Sequence, residues 1–333
     1  MASARIRYIN TASTAGGNGT TNNTSGATRA YATMAGMVSS ESKTLTASDV
    51  YLYVYATGSD TTEVNFTGFT TDATRYIVVD GQGTYTLYTT SYQPGLKINQ
   101  QYLTIKSMSI RRNGASTIVA AVDINSGNVT IEKCRIFSGA SHTRDSGSGA
   151  VEVISVTSGT ITVRNNFIYD CIKHGIYWGI EGGESMNIYN NTVVDCADVG
   201  IKVEVLNTDA GCTKVMKNNI CYSNTTADFS IGPTMTTAGN LSSDTSSPQS
   251  GLRSKSLTFV DLAGKDYHLI STDTAAIDVG DDLSASFTDD FDGVTRSGTW
   301  DAGADEYVSV GGQPTSKRFG GLNHNALTRR GFW

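Results

Sequence analysis

The chain has 333 residues, enough to bury a large core, and a formal net charge of −6. Charged residues make up 17% of it, and Gly occurs 35 times against 4 Pro in a chain otherwise rich in Thr, Ser and Asn. This mixture favours strands and turns over helices, and the negative charge argues against a nucleic-acid-binding protein. Because no apolar run reaches membrane-spanning length, we expect no membrane partner.

The opening residues, MASARIRYIN, lack the apolar run of a signal peptide, so we expect a protein made in a cytoplasm. The five cysteines fit that expectation, because an odd count excludes a complete disulfide framework. The first predicted element is a helix over residues 27–42, where apolar side chains recur at helical spacing. We interpret residues 1–45 as an N-terminal strand and capping helix that covers one open end of the fold.

Short strand-like runs follow at residues 50–58, 75–83 and 95–100, and five later segments then repeat one pattern. Their first core aliphatic residues recur at intervals of 26, 32, 25 and 27 residues: Ile105, Ile131, Val163, Ile188 and Val215. Five positions further on, each segment has a second aliphatic residue: Ile110, Ile136, Ile168, Val193 and Ile220. Such a pair cannot lie on one face of an unbroken strand, so a tight corner must separate two short strands.

The corner is predicted at the third position after each anchor, which holds Met108, Cys134, Asn166, Asn191 and Asn218. Asn suits a corner because it tolerates left-handed backbone angles and forms local hydrogen bonds. Stacked about one strand spacing apart, roughly 4.8 Å, the three Asn side chains are expected to form an internal ladder. The repeat therefore predicts an all-β fold, a right-handed parallel β-helix solenoid over residues 46–265.

A third strand in each turn is indicated by Gly175-Ile176 and Gly200-Ile201, which lie at the same distance from their anchors. Cys171 and Cys196 share another column, which is typical of small apolar groups packed in a core. The longest interval carries an insertion, which we expect to protrude as a loop between residues 138 and 149.

Residues 266–307 resemble the terminal segment of bacterial and phage β-helix proteins of the pectate-lyase-like superfamily. The resemblance rests on Asp266 to Leu269, Ala276 to Gly280, Asp290 to Gly293, Arg296, Asp301 to Glu306, and the NN-x-I motifs at Asn165 to Ile168 and Asn190 to Val193. It covers roughly residues 100–307 and identifies a fold rather than an activity. We expect residues 266–310 to form an irregular C-terminal cap.

Superfamily members that cleave acidic polysaccharides imply a strand face lined with carboxylates, with bound calcium and a basic residue in lyases, or an Asp acid and base in hydrolases. The nearest feature here is a column of Asp170 and Asp195, with His174 and Lys202 close in sequence. The alternative is that both Asp residues only occupy turns. We assign no catalytic residue, and these four are the candidates if the chain is a polysaccharide lyase or glycoside hydrolase.

Tyr177 and Trp178 are candidates for stacking on a sugar ring, although they also fit a strand that simply continues. Asp289, Asp290 and Asp292 resemble part of a calcium loop but lack its distal Glu. We therefore expect no metal or other cofactor, with Ca²⁺ as the alternative.

Residues 311–333 carry four basic side chains and no acid, and they end in aromatic residues. We interpret them as a tail that docks on an acidic surface of a partner or a neighbouring copy, through Lys317, Arg318, Phe319, Arg329, Arg330, Phe332 and Trp333. The alternative is a disordered, solubilising end. This tail and the stretch RYINTASTAGGNGT near the N-terminus resemble parts of tailed-bacteriophage structural proteins.

These observations predict a non-catalytic structural component of a tailed-bacteriophage virion, such as a head decoration or tail-associated protein. Its partners are then other virion proteins or copies of itself, and β-helix projections are often trimeric. The alternative is a secreted or cell-surface protein that degrades or binds a polysaccharide.

Overall fold

The computed structural model describes residues 3–41, 43–45, 49–90, 93–113, 120–139, 149–154, 156–180, 183–205, 212–232 and 234–308. Within these ranges the chain is built almost entirely of short strands, which confirms the all-β prediction. The predicted loop between residues 138 and 149, and the whole docking tail from Lys317 to Trp333, lie largely or wholly outside the described residues.

The first half comprises β1 (Ser3–Asn10), α1 (Met34–Ser40), β2 (Asp49–Thr57), β3 (Ser59–Asp60), β4 (Val64–Phe66), β5 (Tyr76–Asp80), β6 (Thr86–Thr89), β7 (Leu96–Ile98), β8 (Leu103–Lys106), β9 (Ser109–Arg112), β10 (Val122–Ile124), β11 (Val129–Glu132) and β12 (Arg135–Ser138). The second half comprises β13 (Gly149–Val153), β14 (Gly159–Arg164), β15 (Phe167–Tyr169), β16 (His174–Ile180), β17 (Glu184–Tyr189), β18 (Thr192–Val194), β19 (Val199–Val205), β20 (Lys214–Lys217), β21 (Ile220–Tyr222), β22 (Ala227–Ile231), β23 (Thr236–Ala238), β24 (Leu241–Ser242) and a 3₁₀ turn at Ser250–Leu252.

Three parallel sheets run the length of the solenoid in the described part of the chain. The first sheet has nine strands in the order β1-β2-β5-β8-β11-β14-β17-β20-β23. The second has eight, β3-β6-β9-β12-β15-β18-β21-β24, and the third has seven, β4-β7-β10-β13-β16-β19-β22. Each full turn contributes one strand to each sheet, so a residue lies directly over its counterpart in the previous turn.

The interior is filled by the inward-facing residues of all three sheets. In the first sheet Val129, Ile161 and Met186 are in register and almost completely buried. The intervening residues point outward, as alternation along a strand requires. All five cysteines are free thiols, and Cys171 and Cys196 lie in the core as the sequence predicts.

The corner between the first and second sheets is made by two consecutive residues. The first has a left-handed backbone, with φ of 52° at Asn165, 47° at Asn190 and 57° at Asn218. The second points inward and is completely buried, as at Asn166 and Asn191. The left-handed residue thus precedes the ladder residue, so the prediction that one position has both properties was wrong.

The inward column forms the predicted ladder. Asn166 Nδ2 donates to Asn191 Oδ1 at 2.9 Å, and Asn191 Nδ2 donates to Asn219 Oδ1 at 3.0 Å. Asn219 Nδ2 continues the ladder to Asn240 Oδ1 at 2.9 Å, and Asn240 Nδ2 donates to Gln249 Oε1 at 3.1 Å. Each amide oxygen also accepts from the main-chain N–H of the inward residue one turn earlier, so the column satisfies backbone donors that the corner removes from the sheets.

The prediction that Asn218 belongs to the ladder was wrong by one residue. Ile188 pairs with Met216 and not with Val215, so Asn219 takes the ladder position and Asn218 the left-handed one. The chosen anchor, Val215, points outward. Val215 is apolar because it packs under the C-terminal segment and not because it faces the core. It was therefore aligned wrongly with the inward-facing anchors.

The N-terminal helix is present but shorter than the predicted 27–42. It begins after Thr33, whose side chain accepts a hydrogen bond from Gly36 N, and it ends at Ser40. Met34, Met37 and Val38 are buried in the main core and α1 packs on β4. The preceding strand β1 pairs in parallel with β2, so it is itself the outermost strand of the first sheet.

Residues 255–307, which we call the C-terminal strap, lie along the side of the solenoid. The strap covers the outer face of the second sheet, where Phe167, Val194 and Ile220 are buried beneath it. The expected C-terminal cap over 266–310 is therefore a lateral cover, and it extends back as far as Lys133, which pairs with Asp289.

The left-handed Asn column holds this strap in place. Asn165 Nδ2 donates to Asp289 O at 2.7 Å, and Asn218 Nδ2 donates to Asp281 O at 2.9 Å. Between them, Asn190 Nδ2 donates to Asp301 O at 3.1 Å and Gly303 O at 3.0 Å.

Arg296 locks the strap from within. Its guanidinium is buried and donates to Glu306 Oε2 at 3.0 Å, to the carbonyls of Gly303 and Ala304 at 3.0 Å, and to Asn165 Oδ1 at 3.3 Å. The D-x-D-G…R…D-x-G-A-x-E motif of the sequence is thus a set of strap contacts, which agrees with its identifying a fold.

Replacing Asn191 by Ala is expected to lower the free energy of unfolding by about 3–5 kcal/mol. The substitution leaves the buried main-chain N–H of Asn166 without its partner, which costs about 1–3 kcal/mol, and it also removes the bonds from the Asn191 amide to the carbonyls of Val163 and Tyr189 and to Asn219. Urea denaturation followed by circular dichroism measures the change. Asn187→Ala, at a half-buried outward position on β17, is the matched control and is expected to cost less than about 1 kcal/mol. Equal losses in the two variants would contradict the role of the ladder.

Candidate functional site

The structure divides the predicted site residues between two places. Asp170 and Asp195 are stacked on adjacent turns, as predicted, at the corner that follows the second sheet. Both have left-handed backbones, with φ of 50° and 55°, so the turn interpretation of these residues also describes them. Lys265 of the strap lies between the two carboxylates, with Nζ 2.7 Å from Asp170 Oδ1 and 3.2 Å from Asp195 Oδ2.

This lysine supplies the positive charge that the carboxylate pair requires. Burial alone lowers the pKa of Lys265, but its hydrogen bonds and attraction to Asp170 and Asp195 outweigh burial and raise it. The ammonium therefore stays charged at neutral pH. The Asp170–Asp195 column is an attachment point for the strap in this structure.

The predicted sugar-stacking residues do not present their rings to solvent. Trp178 is 0% exposed and its indole lies in the main core, where Nε1 donates to Glu184 Oε1 at 3.3 Å. Tyr177 points outward between two inward residues but is only 5% exposed. The stacking prediction is wrong for Trp178 because β16 alternates, and the outward position falls on Tyr177.

His174, Tyr177 and Lys202 belong to the outer face of the third sheet. Register places one outward residue per strand in a single column there: Asn65, Lys97, Asp123, Glu152, Tyr177, Lys202 and Ser230. Neighbouring members are about 4.8 Å apart at the backbone. The column brings together two carboxylates, a phenol and two amines from distant parts of the sequence.

Asp123 and Glu152 form the acidic centre of this column. The Asp123 side chain is 13% exposed, and its Oδ2 lies 3.9 Å from Lys97 Nζ. Burial raises the pKa of the Asp123 carboxyl, against lowering contributions from Asn125 and Lys97. Glu152, on the next strand, is also buried. A carboxyl with a raised pKa is suited to donate a proton, and a carboxylate on the neighbouring strand is suited to accept one.

Tyr177, Lys202 and Glu204 continue the column on one side. Tyr177 Oη donates to Glu204 Oε2 at 2.7 Å, and Lys202 Nζ lies 2.6 Å from Glu204 Oε1. The hydrogen bond from Lys202 is the main cause that lowers the pKa of Glu204, whereas burial raises the pKa of Tyr177. This part of the column therefore carries a fixed anion and a neutral phenol.

His174 stands at the start of β16, beside Tyr177. Its ring stacks on the Tyr177 ring with centroids 5.8 Å apart, and Nδ1 accepts a hydrogen bond from Val199 N at 3.3 Å. Asp198 Oδ2 lies 3.8 Å from the same nitrogen. The ring is buried.

Sequence reasoning missed Asp123, Glu152 and Glu204. Asp123 and Glu152 stand in the patterns V-D-I and V-E-V, in which an acid between two aliphatic residues is the outward position of a strand. Those patterns were visible, but the insertion between residues 138 and 149 concealed that β10 and β13 are adjacent.

A groove of about 270 Å³ runs over the outer face of the first sheet. Its floor is a column of hydroxyl and amide side chains on successive strands: Thr104, Thr130, Thr162 and Asn187. Its wall includes Tyr189 of β17 and Phe287 of the strap. Arg164 crosses the groove, ion-paired with Glu132 and with its guanidinium 4.4 Å from the centre of the Phe287 ring.

The three acids that resemble a calcium loop do not converge. Asp289 pairs with Lys133 and Arg164, and Asp290 accepts main-chain hydrogen bonds from Val294 and Glu306. Ca²⁺ stays an untested prediction. In the part of the chain that the structure describes, no helix is long and apolar enough to cross a membrane.

Asp123→Asn is expected to change how stability depends on pH. A carboxyl whose pKa is raised in the fold stabilises it when protonated, and this stabilisation is lost as pH rises through the raised pKa. The difference in Tm, variant minus parent, is therefore expected to increase between pH 4 and pH 8. Differential scanning fluorimetry measures it. Asp282→Asn is the control, because hydrogen bonds from Ser284 lower the pKa of that exposed carboxyl, so its Tm difference should stay constant between pH 4 and pH 8. A Tm difference for Asp123→Asn that does not change with pH would contradict the raised pKa of the Asp123 carboxyl.

Comparison with known proteins identifies the family to which this architecture belongs. The family model described as "Right handed beta helix region" matches residues 52–210 and 95–246, which together span more than half of the chain. A crystal structure of the pectate lyase Pel9A aligns over 91% of this chain and 97% of its own, with 11% sequence identity and a TM-score of 0.37. No curated protein matches. With its ladder, three parallel sheets and this family match, the chain belongs to the right-handed β-helix family.

Proposed function

We propose that this protein is a rigid structural solenoid, and that it acts as a head decoration or tail-associated component of a tailed-bacteriophage particle. The observation that carries the structural role is the double use of the Asn-Asn corners. One Asn of each pair closes the interior ladder and the other fastens the strap along three turns. Because hydrogen bonds hold the same corners on both the inner and the outer side, the solenoid resists bending and local opening.

The strap supports the same proposal through its ion pairs. Lys265 engages both carboxylates of the Asp170–Asp195 column, and Asp289 bridges Lys133 and Arg164 on successive turns. These contacts cross-link turns that are separate in sequence. They stabilise the length of the projection rather than one end of it.

Placement in a phage particle rests on sequence resemblance. The stretch RYINTASTAGGNGT and the basic, aromatic tail resemble parts of phage structural proteins. Attachment through Lys317, Arg318, Arg329, Arg330 and the tail aromatics, to virion proteins or to other copies in a homo-oligomer, belongs to the proposal.

Mass spectrometry of purified particles tests this placement. The protein is expected in particles of the phage that encodes it, in a fixed ratio to the capsid protein that survives repeated density-gradient centrifugation. A non-structural protein of the same phage is the control and should be lost. Absence of the protein from purified particles would reject the virion role.

A second candidate is cleavage of a polysaccharide on the outer face of the third sheet. The observation that favours it is the raised pKa of Asp123 beside Glu152. In this candidate Asp123 donates a proton to the leaving oxygen and Glu152 acts as base or nucleophile. A general acid of this kind contributes about 10²–10⁴-fold to a rate.

A panel of acidic and neutral polysaccharides, read by new reducing ends and by unsaturated products, tests this candidate. Asp123→Asn is expected to reduce any cleavage rate at least about 100-fold. Asp170→Asn, at the Lys265 contact, is the matched control and should keep the parent rate. Activity that survives in Asp123→Asn, or no cleavage of any polysaccharide in the panel, would reject the candidate.

A further inference from the structure

Three side chains with metal-binding atoms converge inside the strap. One nitrogen of His268 and one carboxylate oxygen each of Asp292 and Asp305 lie within 4.8 Å of one another. The three residues are far apart in the sequence of the strap, so only the fold of the strap brings them together. They stand outside both the Asp170–Asp195 column and the third-sheet column.

Two atoms of this cluster are buried without a hydrogen-bond partner among the described residues. They are His268 Nε2 and Asp292 Oδ1. The Asp292 side chain is only 9% exposed, and its Oδ2 lies 3.2 Å from His268 Nε2. Because buried polar atoms are rarely left unpaired, an imidazole nitrogen and a carboxylate oxygen so placed are the atoms with which an ion would form bonds.

The surroundings of His268 orient its ring for such a bond. Asp266 Oδ1 contacts Nδ1 and Asp292 Oδ2 lies beside Nε2, so carboxylates on both sides hold the ring with Nε2 facing the cluster. This is the arrangement of a metal-ligating histidine held by an outer carboxylate. The Phe167 ring stands edge-on to the imidazole with centroids 5.2 Å apart and limits its rotation.

The third ligand is also held in position. Asp305 Oδ2 accepts a hydrogen bond from Leu269 N at 2.8 Å, which holds it beside the segment that carries His268. A cluster of carboxylates around one imidazole is electronegative enough to attract a cation.

We propose that His268, Asp292 and Asp305 bind one divalent transition-metal ion, with Zn²⁺ as the best fit. Imidazole suits Zn²⁺ and its neighbours in the first transition row, whereas Ca²⁺ prefers an all-oxygen set of six to eight ligands. Three protein ligands leave one tetrahedral position for water. The bound ion connects three separate segments of the strap, so it stabilises the strap in its position over the second sheet.

The full chain is first treated with EDTA to remove bound metal and then freed of EDTA. Isothermal titration calorimetry with ZnCl₂ then tests the site. The parent is expected to bind one Zn²⁺ and to gain Tm in its presence. Asp292→Asn is expected to bind at least ten times more weakly. Asp266→Asn, which loses only the outer carboxylate, is expected to lose roughly 10–100-fold in affinity. Asp282→Asn, an exposed substitution elsewhere in the strap, should bind like the parent.

Circular dichroism of each metal-free variant shows whether it is folded, and the Asp266→Asn result stands if Asp292→Asn fails to fold. Equal Zn²⁺ affinity in the parent and in the folded site variants would overturn the proposal, since the ion would then be bound elsewhere. No binding to the parent would overturn it as well. A Tm gain from Ca²⁺ equal to that from Zn²⁺ would overturn the choice of metal.

Discussion

The fold depends on a backbone problem that arises at every corner between the first and second sheets. A turn this tight needs a left-handed residue, and it leaves main-chain groups that neither sheet satisfies. An Asn-Asn pair solves both parts, since the first Asn adopts the left-handed angle and the second accepts from the unpaired main-chain N–H of the preceding corner. In the earlier turns Ser107 and Lys133 take the left-handed position, with Met108 and Cys134 inside, so the ladder starts on an apolar base.

The same corners decide where the strap lies. An amide on a left-handed residue points outward, and Asn165, Asn190 and Asn218 present three such amides in a row. The strap backbone bonds to them and covers the second sheet, which is why outward residues such as Phe167 and Ile220 are apolar. The outer face of the third sheet carries instead the ionisable column centred on Asp123 and Glu152.

Much of this architecture was predictable from the sequence. The repeat gave the all-β solenoid, the Asn ladder through Asn166 and Asn191, and the stacking of Asp170 on Asp195. The ladder position of Asn219 was missed because Val215 and Ile220 are apolar on a face that the strap covers. Aligning the Asn218-Asn219 pair with Asn190-Asn191 would have given the right register. Lys265 and His268 were beyond prediction, because their partners are set by the course of the strap, which no periodicity encodes.

The central claim is that the two Asn residues of one corner do different work, and hydrogen–deuterium exchange followed by mass spectrometry tests it most directly. Asn190→Gly keeps the left-handed angle but removes the outward amide, so faster exchange is expected in residues 255–307 with the turns unchanged. Asn191→Gly removes the inward amide, so faster exchange is expected in β14, β17 and β20. The same exchange pattern in both proteins would contradict the account.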